Sequence, residues 1–291
     1  MTDALFITPA IVGFAVVIII PFLLGIYYSF TDWDGLKINL NTVGWTNYAS
    51  LFTDTKFLHS FLATAEYALI NVFLVNFVAF CLALLVTGAA RGRNIYRAGF
   101  FVPNLIGGIV LGTIWQFIFS NIIPSFANIL GIPGLQMSLL AKGSTIIWVM
   151  SVVNTWQYAG YIMMIYVAGI QSISGSILEA AEVDGATYLT RVRKIVLPLV
   201  SNAFTISLFL TLTNSFKSYD VNVALTNGGP AGIFMGKATQ LSELLALNIY
   251  NTAYLYNKTA EGQAKAVIFF IVLAILSLTQ VSITKKREVE L

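Results

Sequence analysis

The chain of 291 residues has one cysteine, Cys81, and one histidine, His59. A lone thiol excludes an internal disulfide, and one Cys with one His excludes the zinc-ligand motifs and the Cys/His nucleophile pair. Cys81, midway along an apolar run, reads as a small packing residue. Charge is scarce as well: 10% of residues are Asp, Glu, Lys or Arg, against roughly 25% in a soluble domain. No G-x-x-x-x-G-K-[ST] phosphate loop is present, so a nucleotide is not bound in that manner. The period-two alternation of a membrane β-barrel is missing too.

Apolar bulk fills the gap, with 57% of residues hydrophobic. Runs long enough to cross a hydrocarbon core, about 20 residues each, lie near 5–30, 62–87, 99–120, 145–171, 199–217 and 264–284. Thr211, Thr213 and Asn214 weaken the fifth. Gly, Ser and Thr recur inside the runs, as close helix packing in lipid requires. The expectation is an all-α integral membrane protein, a single bundle of six transmembrane helices over residues 1–291. The first run lacks a basic n-region, is interrupted by Pro9 and Pro21, and is too long for a signal-peptide core, so it reads as a retained span.

Arginine orients the bundle. Arg91, Arg93, Arg97, Arg191, Arg193 and Arg287 all fall in the second loop, the fourth loop or the tail, joined by Lys194, Lys285 and Lys286. Those segments share a face if six helices alternate, and basic short loops face the cytoplasm. Both termini are therefore expected there. The net charge of +3 is this asymmetry and argues for no nucleic acid.

Most of the remaining acid-base chemistry sits in one island, Glu179 to Pro198, reading EAAEVDGATYLTRVRKIVLP. Leu178 through Val183 are strong helix formers, Asp184-Gly185 breaks the run, and Ala186 through Val196 can form a second helix. Asp184 is placed to cap that helix, whose basic residues lie toward its C-terminal end; Pro198 is placed to start the fifth span. Two readings fit: an interfacial connector between spans, or a rigid surface element that touches a partner.

EAA, two residues, DGA and a basic amphipathic stretch ending in LP resemble the coupling loop of binding-protein-dependent ABC importer permeases. The likeness continues in Val102-Pro103-Asn104, Asn154-Thr155-Trp156, Gly169-Ile170-Gln171-Ser172-Ile173 and Leu225-Thr226-Asn227-Gly228-Gly229-Pro230. That last run, with Ile249-Tyr250 and Tyr254, is similar to the carbohydrate branch and its maltose-type larger-subunit class. The resemblance implies a type I importer bundle in a bacterial or archaeal cell membrane, with a cytoplasmic coupling helix at about 172–198. It implies a second homologous permease, two ATPase subunits that hold the ATP and Mg, an extracytoplasmic solute-binding protein, and a sugar or oligosaccharide as substrate. This chain would then bind no cofactor and catalyse nothing itself. A non-sugar polar solute such as a glycerol phosphodiester is the alternative within the same type. Glu179, Ala180, Ala181, Asp184, Gly185 and Ala186 would meet the ATPase, with Glu182 facing water.

A transport site is expected near the midplane among polar residues facing the bundle interior. Asn154, Gln157, Tyr158 and Tyr161 recur at helical spacing on one face of the fourth helix; Thr211 and Ser215 are a turn apart in the fifth, and Asn104 begins the third. The resemblance places these among sugar-lining positions. Amides, hydroxyls and aromatic faces suit an uncharged polyol, whereas the plain alternative is interhelical hydrogen bonding. Glu66, Lys217, Asp220 and Lys265 lie near outer helix ends and read as interfacial anchors. A CDP-alcohol-type phosphotransferase would need further aspartates between Ala186 and Val200, where there are none, and an ion-coupled transporter would be expected to carry ionisable residues at helix centres.

The topology predicts that, in a Cys81→Ala background, an external thiol reagent modifies a cysteine at Asn47 or Lys258 and spares one at Arg93. Labelling in the reverse pattern would invert the arrangement.

Overall fold

The computed structural model describes residues 2–88, 92–286 and 288; Arg91 and Arg287 lie outside the described residues. Among the described residues four helices are long and apolar enough to cross a membrane unaided, within α1 (2–29), α3 (Thr55–Thr87), α5 (Gly108–Leu130) and α12 (Thr259–Lys285), with the short α2 (Thr46–Leu51) between the first two. Two further crossings are the straight arms of bent pairs. Helix α6 (Ile146–Gln171) meets α7 (Gly175–Val183) at 72°, and α8 (Tyr188–Leu199) meets α9 (Ser201–Phe216) at 71°. Counting each pair once gives six crossings.

The third window divides. An amphipathic helix α4 (Arg93–Phe101) passes into a tight turn, Val102–Leu105, around Pro103, and α5 starts only at Gly108. Asn104 therefore sits in that turn instead of beginning the third helix, because proline cannot continue the ladder of α4. The fifth span begins at Ser201, after the bend, so Pro198 lies in the last turn of α8. Proline also marks a second regularity. π turns at Ala15–Ile19, Ile118–Ile122 and Val192–Val196 each precede Pro21, Pro124 or Pro198 by two residues. A proline clashes with the carbonyl four residues back, and here that residue is the middle of the widened turn.

Helices α3 and α6 form the centre. Ala79 and Ala83 meet Ala159, Ile162, Met163 and Tyr166 in the largest buried cluster. A Cβ at Gly160 would fall on the carbonyl of Phe100, so this glycine lets α4 lie against α6. Asn154 donates to Asn71 Oδ1 (2.8 Å), and Asn71 donates to Ser151 Oγ (3.3 Å). Further along the same helices, Tyr166 donates to Asn76 Oδ1 (2.8 Å), accepts from Ser207 (2.6 Å), and Asn76 donates to Thr211 (3.2 Å). Cys81 is exposed on the far side of α3 instead of packed.

Between α9 and α12 the chain forms α10 (Asp220–Leu225), an antiparallel hairpin of β1 (Ala231–Phe234) and β2 (Lys237–Gln240), and α11 (Leu245–Tyr250), which runs on through a π turn, Asn251–Leu255. The hairpin was not expected of an all-α chain. Its two-residue loop Met235-Gly236 has φ of 49° and 76°, the signs a type I′ turn needs.

Lys265 is not an interfacial anchor. Its side chain is 2% exposed, and Nζ donates to Asp54 Oδ2 (2.8 Å), Thr252 Oγ1 (2.9 Å) and Asn248 Oδ1 (3.1 Å), which spends all three ammonium donors. Asp54 caps α3 with its other oxygen, accepting from Lys56 and Phe57 N–H. Burial pushes the Asp54 carboxyl up, but Lys265 and those two N–H groups outweigh it and hold the group below the usual carboxylate range. A depressed carboxyl adds stability that is present above its ordinary pKa and is lost only as pH falls through the lowered value. Removing one partner strands the other charge. Lys265→Met or Asp54→Asn should each lower the melting temperature of the purified protein, and the double variant should lose less than the sum. Strict additivity in that cycle would show that the two charges are not coupled.

Candidate functional site

The island and the basic loop share one end of the bundle. Arg97 donates to the carbonyl of Val86 (3.2 Å), and a cavity of about 200 Å3 is walled by Leu84, Thr87, Ile170, Leu178, Tyr188, Arg191 and Val196 among others. Lys265 and Asp54 lie at the opposite end, where α3 and α12 begin. Helix α7 closes in a Schellman turn: Ala186 N–H bonds the Ala181 carbonyl (2.9 Å) and Gly185 N–H the Glu182 carbonyl (3.0 Å), with Gly185 left-handed at φ 78°. Thr187, not Asp184, caps the following helix, accepting from Thr190 N–H. Asp184 is instead the C-cap of the helix before it, because the turn consumes Gly185 and Ala186.

Glu179, Ala180, Asp184 and Gly185 are exposed on this turn, Ala186 is half-buried, and Ala181 is buried. Glu182 is exposed, yet its carboxylate pairs with Arg191 Nη1 at 3.0 Å, bracing α7 against α8. Around the turn Val183, Tyr188 and Leu189 present large apolar side chains outward, 88%, 60% and 72% exposed. Three such residues beside a carboxylate form a surface that water alone does not favour.

The expected transport residues separate into three groups, with Asn104 outside all of them. Asn154 and Gln157 wall a cavity of about 230 Å3 together with Gly108, Asn214, Lys217, Ser218, Tyr219 and Asp220. Gln157 also donates to the Ile106 carbonyl (3.0 Å). Tyr161 lines a different space, a groove of about 1190 Å3 toward the other end, beside Arg97, Phe101 and Asn202; its ring lies 5.3 Å from that of Tyr158. Seven residues of helix separate Asn154 from Tyr161 by roughly 10 Å, and the structure does not bring them to one cavity. Thr211 and Ser215 are fully buried, bonded to the carbonyls of Ser207 (2.7 Å) and Thr211 (2.8 Å). They face the bundle's own interior. Asn104 is half-buried in its turn and touches neither cavity.

Sequence reasoning missed Asn214 and Ser218, which stand on the cavity wall where the buried Thr211 and Ser215 do not. It also took Lys217 and Asp220 for anchors, whereas both stand on the cavity wall. Among the described residues no group of three His, Cys, Asp or Glu could hold a metal ion.

A bundle of six crossings with a helical turn projecting from one end and a polar cavity near the other defines a membrane permease. The chain belongs to the family described as "Binding-protein-dependent transport system inner membrane component", which matches residues 80–285. It is 43% identical over 287 residues to the probable starch degradation products transport system permease protein AmyD of Thermoanaerobacterium thermosulfurigenes, covering 99% of this chain and 95% of that protein. It is 30% identical to the multiple sugar-binding transport system permease protein MsmF of Streptococcus mutans (92% and 90% covered), and 30% identical to the sn-glycerol-3-phosphate transport system permease protein UgpA of Brucella abortus (90% and 87%). The fold matches a chain of a bacterial ABC transporter that imports the acidic polysaccharide alginate, with a TM-score of 0.80 at 17% identity over 96% of this chain and 93% of that one.

A left-handed backbone costs an L-residue about 1–2 kcal/mol, and Asn tolerates it best after Gly. Gly185→Ala should therefore open the turn to limited proteolysis between residues 183 and 187 faster than Gly185→Asn does. Equal rates would mean that the turn is held by something other than its φ.

Proposed function

We propose that this chain is one half of the membrane channel of an ATP-binding-cassette importer, and that it passes a sugar or oligosaccharide delivered by an extracytoplasmic solute-binding protein. The observation that carries the substrate is the 43% identity to a starch-product permease, sustained over 99% of the chain. The cavity supports it: amides of Asn154, Gln157 and Asn214 with the hydroxyl of Ser218 offer the donors and acceptors that polyols need. A non-sugar polar solute such as a glycerol phosphodiester is the second reading; the 30% identity to an sn-glycerol-3-phosphate permease supports the glycerol phosphate class, there as a monoester.

In this reading a second, homologous permease completes the pathway, and two cytoplasmic ATPase subunits bind and hydrolyse ATP with Mg. The turn from Glu179 through Ala186 meets the ATPase, Glu179 by charge and Val183 and Leu189 by apolar contact, while Ala181 and the Glu182–Arg191 pair stiffen it from behind. Both termini and this turn are cytoplasmic. Substrate contact falls to Asn154 and Gln157, with Tyr158 and Tyr161 further along the path and Asn104 at its side. Thr211 and Ser215 serve instead by holding α9 to its neighbours.

Glu179→Lys should leave the chain inserted while abolishing uptake and co-purification of the ATPase, through a repelled contact. Wild-type uptake at wild-type expression would remove Glu179 from the interface. Asn154→Ala should lower uptake at least severalfold while binding-protein-stimulated ATP hydrolysis persists, since a contact left unsatisfied costs about 1–3 kcal/mol. Loss of assembly with the partner permease would assign Asn154 to helix packing through Asn71.

A further inference from the structure

The cavity beneath Asn154 is walled by neutral groups except at one place. Lys217 and Asp220 stand on its wall three residues apart, and among the described residues neither makes an ion pair or a side-chain hydrogen bond. Every other described cation that meets a carboxylate does so within 3.2 Å at its nearest approach, as Lys37, Arg191, Lys258 and Lys265 do. Both residues are exposed, so water can solvate each charge without an ion pair between them.

The backbone sets where each residue stands. Lys217 ends α9, its N–H closing on the carbonyl of Thr213 (3.2 Å), and Asp220 opens α10 after the turn through Ser218 and Tyr219. Asp220 is also pressed against α5: a Cβ at Gly108 would lie 2.7 Å from the Asp220 Cβ. Ammonium and carboxylate are thereby kept as separate, unspent donor and acceptor on one cavity. A polyol can satisfy both, one hydroxyl accepting from Lys217 and another donating to Asp220. An anion gains from the first and is repelled by the second, so the pair leaves it no net attraction to offset the loss of its hydration.

We propose that Lys217 and Asp220 are specificity-determining residues that hold the Asn154 cavity at zero net charge, so that it passes neutral polyols and discriminates against anionic solutes. The inference rests on the sugar reading, and it separates the two substrate classes seen among the relatives.

The test uses the assembled transporter in proteoliposomes with its cognate binding protein and two probes that differ by one carboxylate, maltotriose and maltotrionic acid. Uptake of each is normalised to its affinity for the binding protein, which carries no substitution. Asp220→Asn should raise the anionic-to-neutral uptake ratio about tenfold, the size expected of one unit charge several ångströms away in partly hydrated surroundings. Lys217→Gln should lower it by a similar factor, and the double variant should return near the wild-type ratio. Asp220→Glu, which keeps the charge, should leave the ratio in place. If Asp220→Asn fails to assemble with the ATPase, Lys217→Gln and Asp220→Glu carry the test. Ratios within about twofold of wild type in the neutralised variants, with uptake of maltotriose intact, overturn the charge assignment alone. A wild-type transporter that moves neither probe overturns the sugar reading, and this inference with it.

Discussion

The close approach of α3 and α6 is the constraint on which the rest of the molecule depends. Alanines on both helices bring the backbones together, and that proximity is what lets short amides reach across. Asn71 and Asn76 then act as junctions, each touching a second helix while bonding back to its own carbonyl four residues earlier. Interhelical hydrogen bonds of this kind contribute roughly 0.6 kcal/mol apiece and rarely above about 1.7. Their value is register: a one-residue slip of α6 would turn Asn154, Ser151 and Tyr166 away from their partners together.

Much of this was legible in one dimension. A crossing is announced by a long apolar run, and the runs at 62–87 and 145–171 became α3 and α6 with their C-terminal ends where expected. The EAA-DGA pattern was legible for a similar reason, since its glycine makes a local turn. What escaped depends on partners far along the chain. Lys265 reads as an anchor until Asp54, 211 residues away, is set beside it. In and just after α9 hydroxyls and amides crowd together, so periodicity cannot choose between Thr211 with Ser215, which are buried, and Asn214 with Ser218, which reach the cavity. The bends at 72° and 71° were not readable either, because serine at 174 and valine at 200 announce no angle. The prolines came closer, marking where the ladder widens without saying how.

The two ends of the bundle are stabilised by different means. At one, a buried ammonium with three acceptors ties α3, α11 and α12 together. At the other, the contacts are an exposed ion pair, a glycine turn and small apolar surfaces. Exposed pairs contribute little, so the cohesion of that end is expected to rise when something covers it. The molecule is thus firmest where α12 starts and most responsive where α7 turns.

Helix α6 joins those ends. It is continuous from Ile146 to Gln171, with no proline and no widened turn, and it carries Asn154 on one cavity and ends where α7 departs at 72°. From Asn154 to Gln171 the rod is about 25 Å long. A push along α7 therefore arrives nearly crosswise to α6, as at the elbow of a bell crank. Such a joint turns a sideways stroke at the surface into a tilt of the rod, and the displacement at the cavity depends on where along those 25 Å the pivot lies. Gly160, where α4 bears directly on the rod, stands about a third of the way from Asn154 toward Gln171 and is the place where the packing would set that pivot.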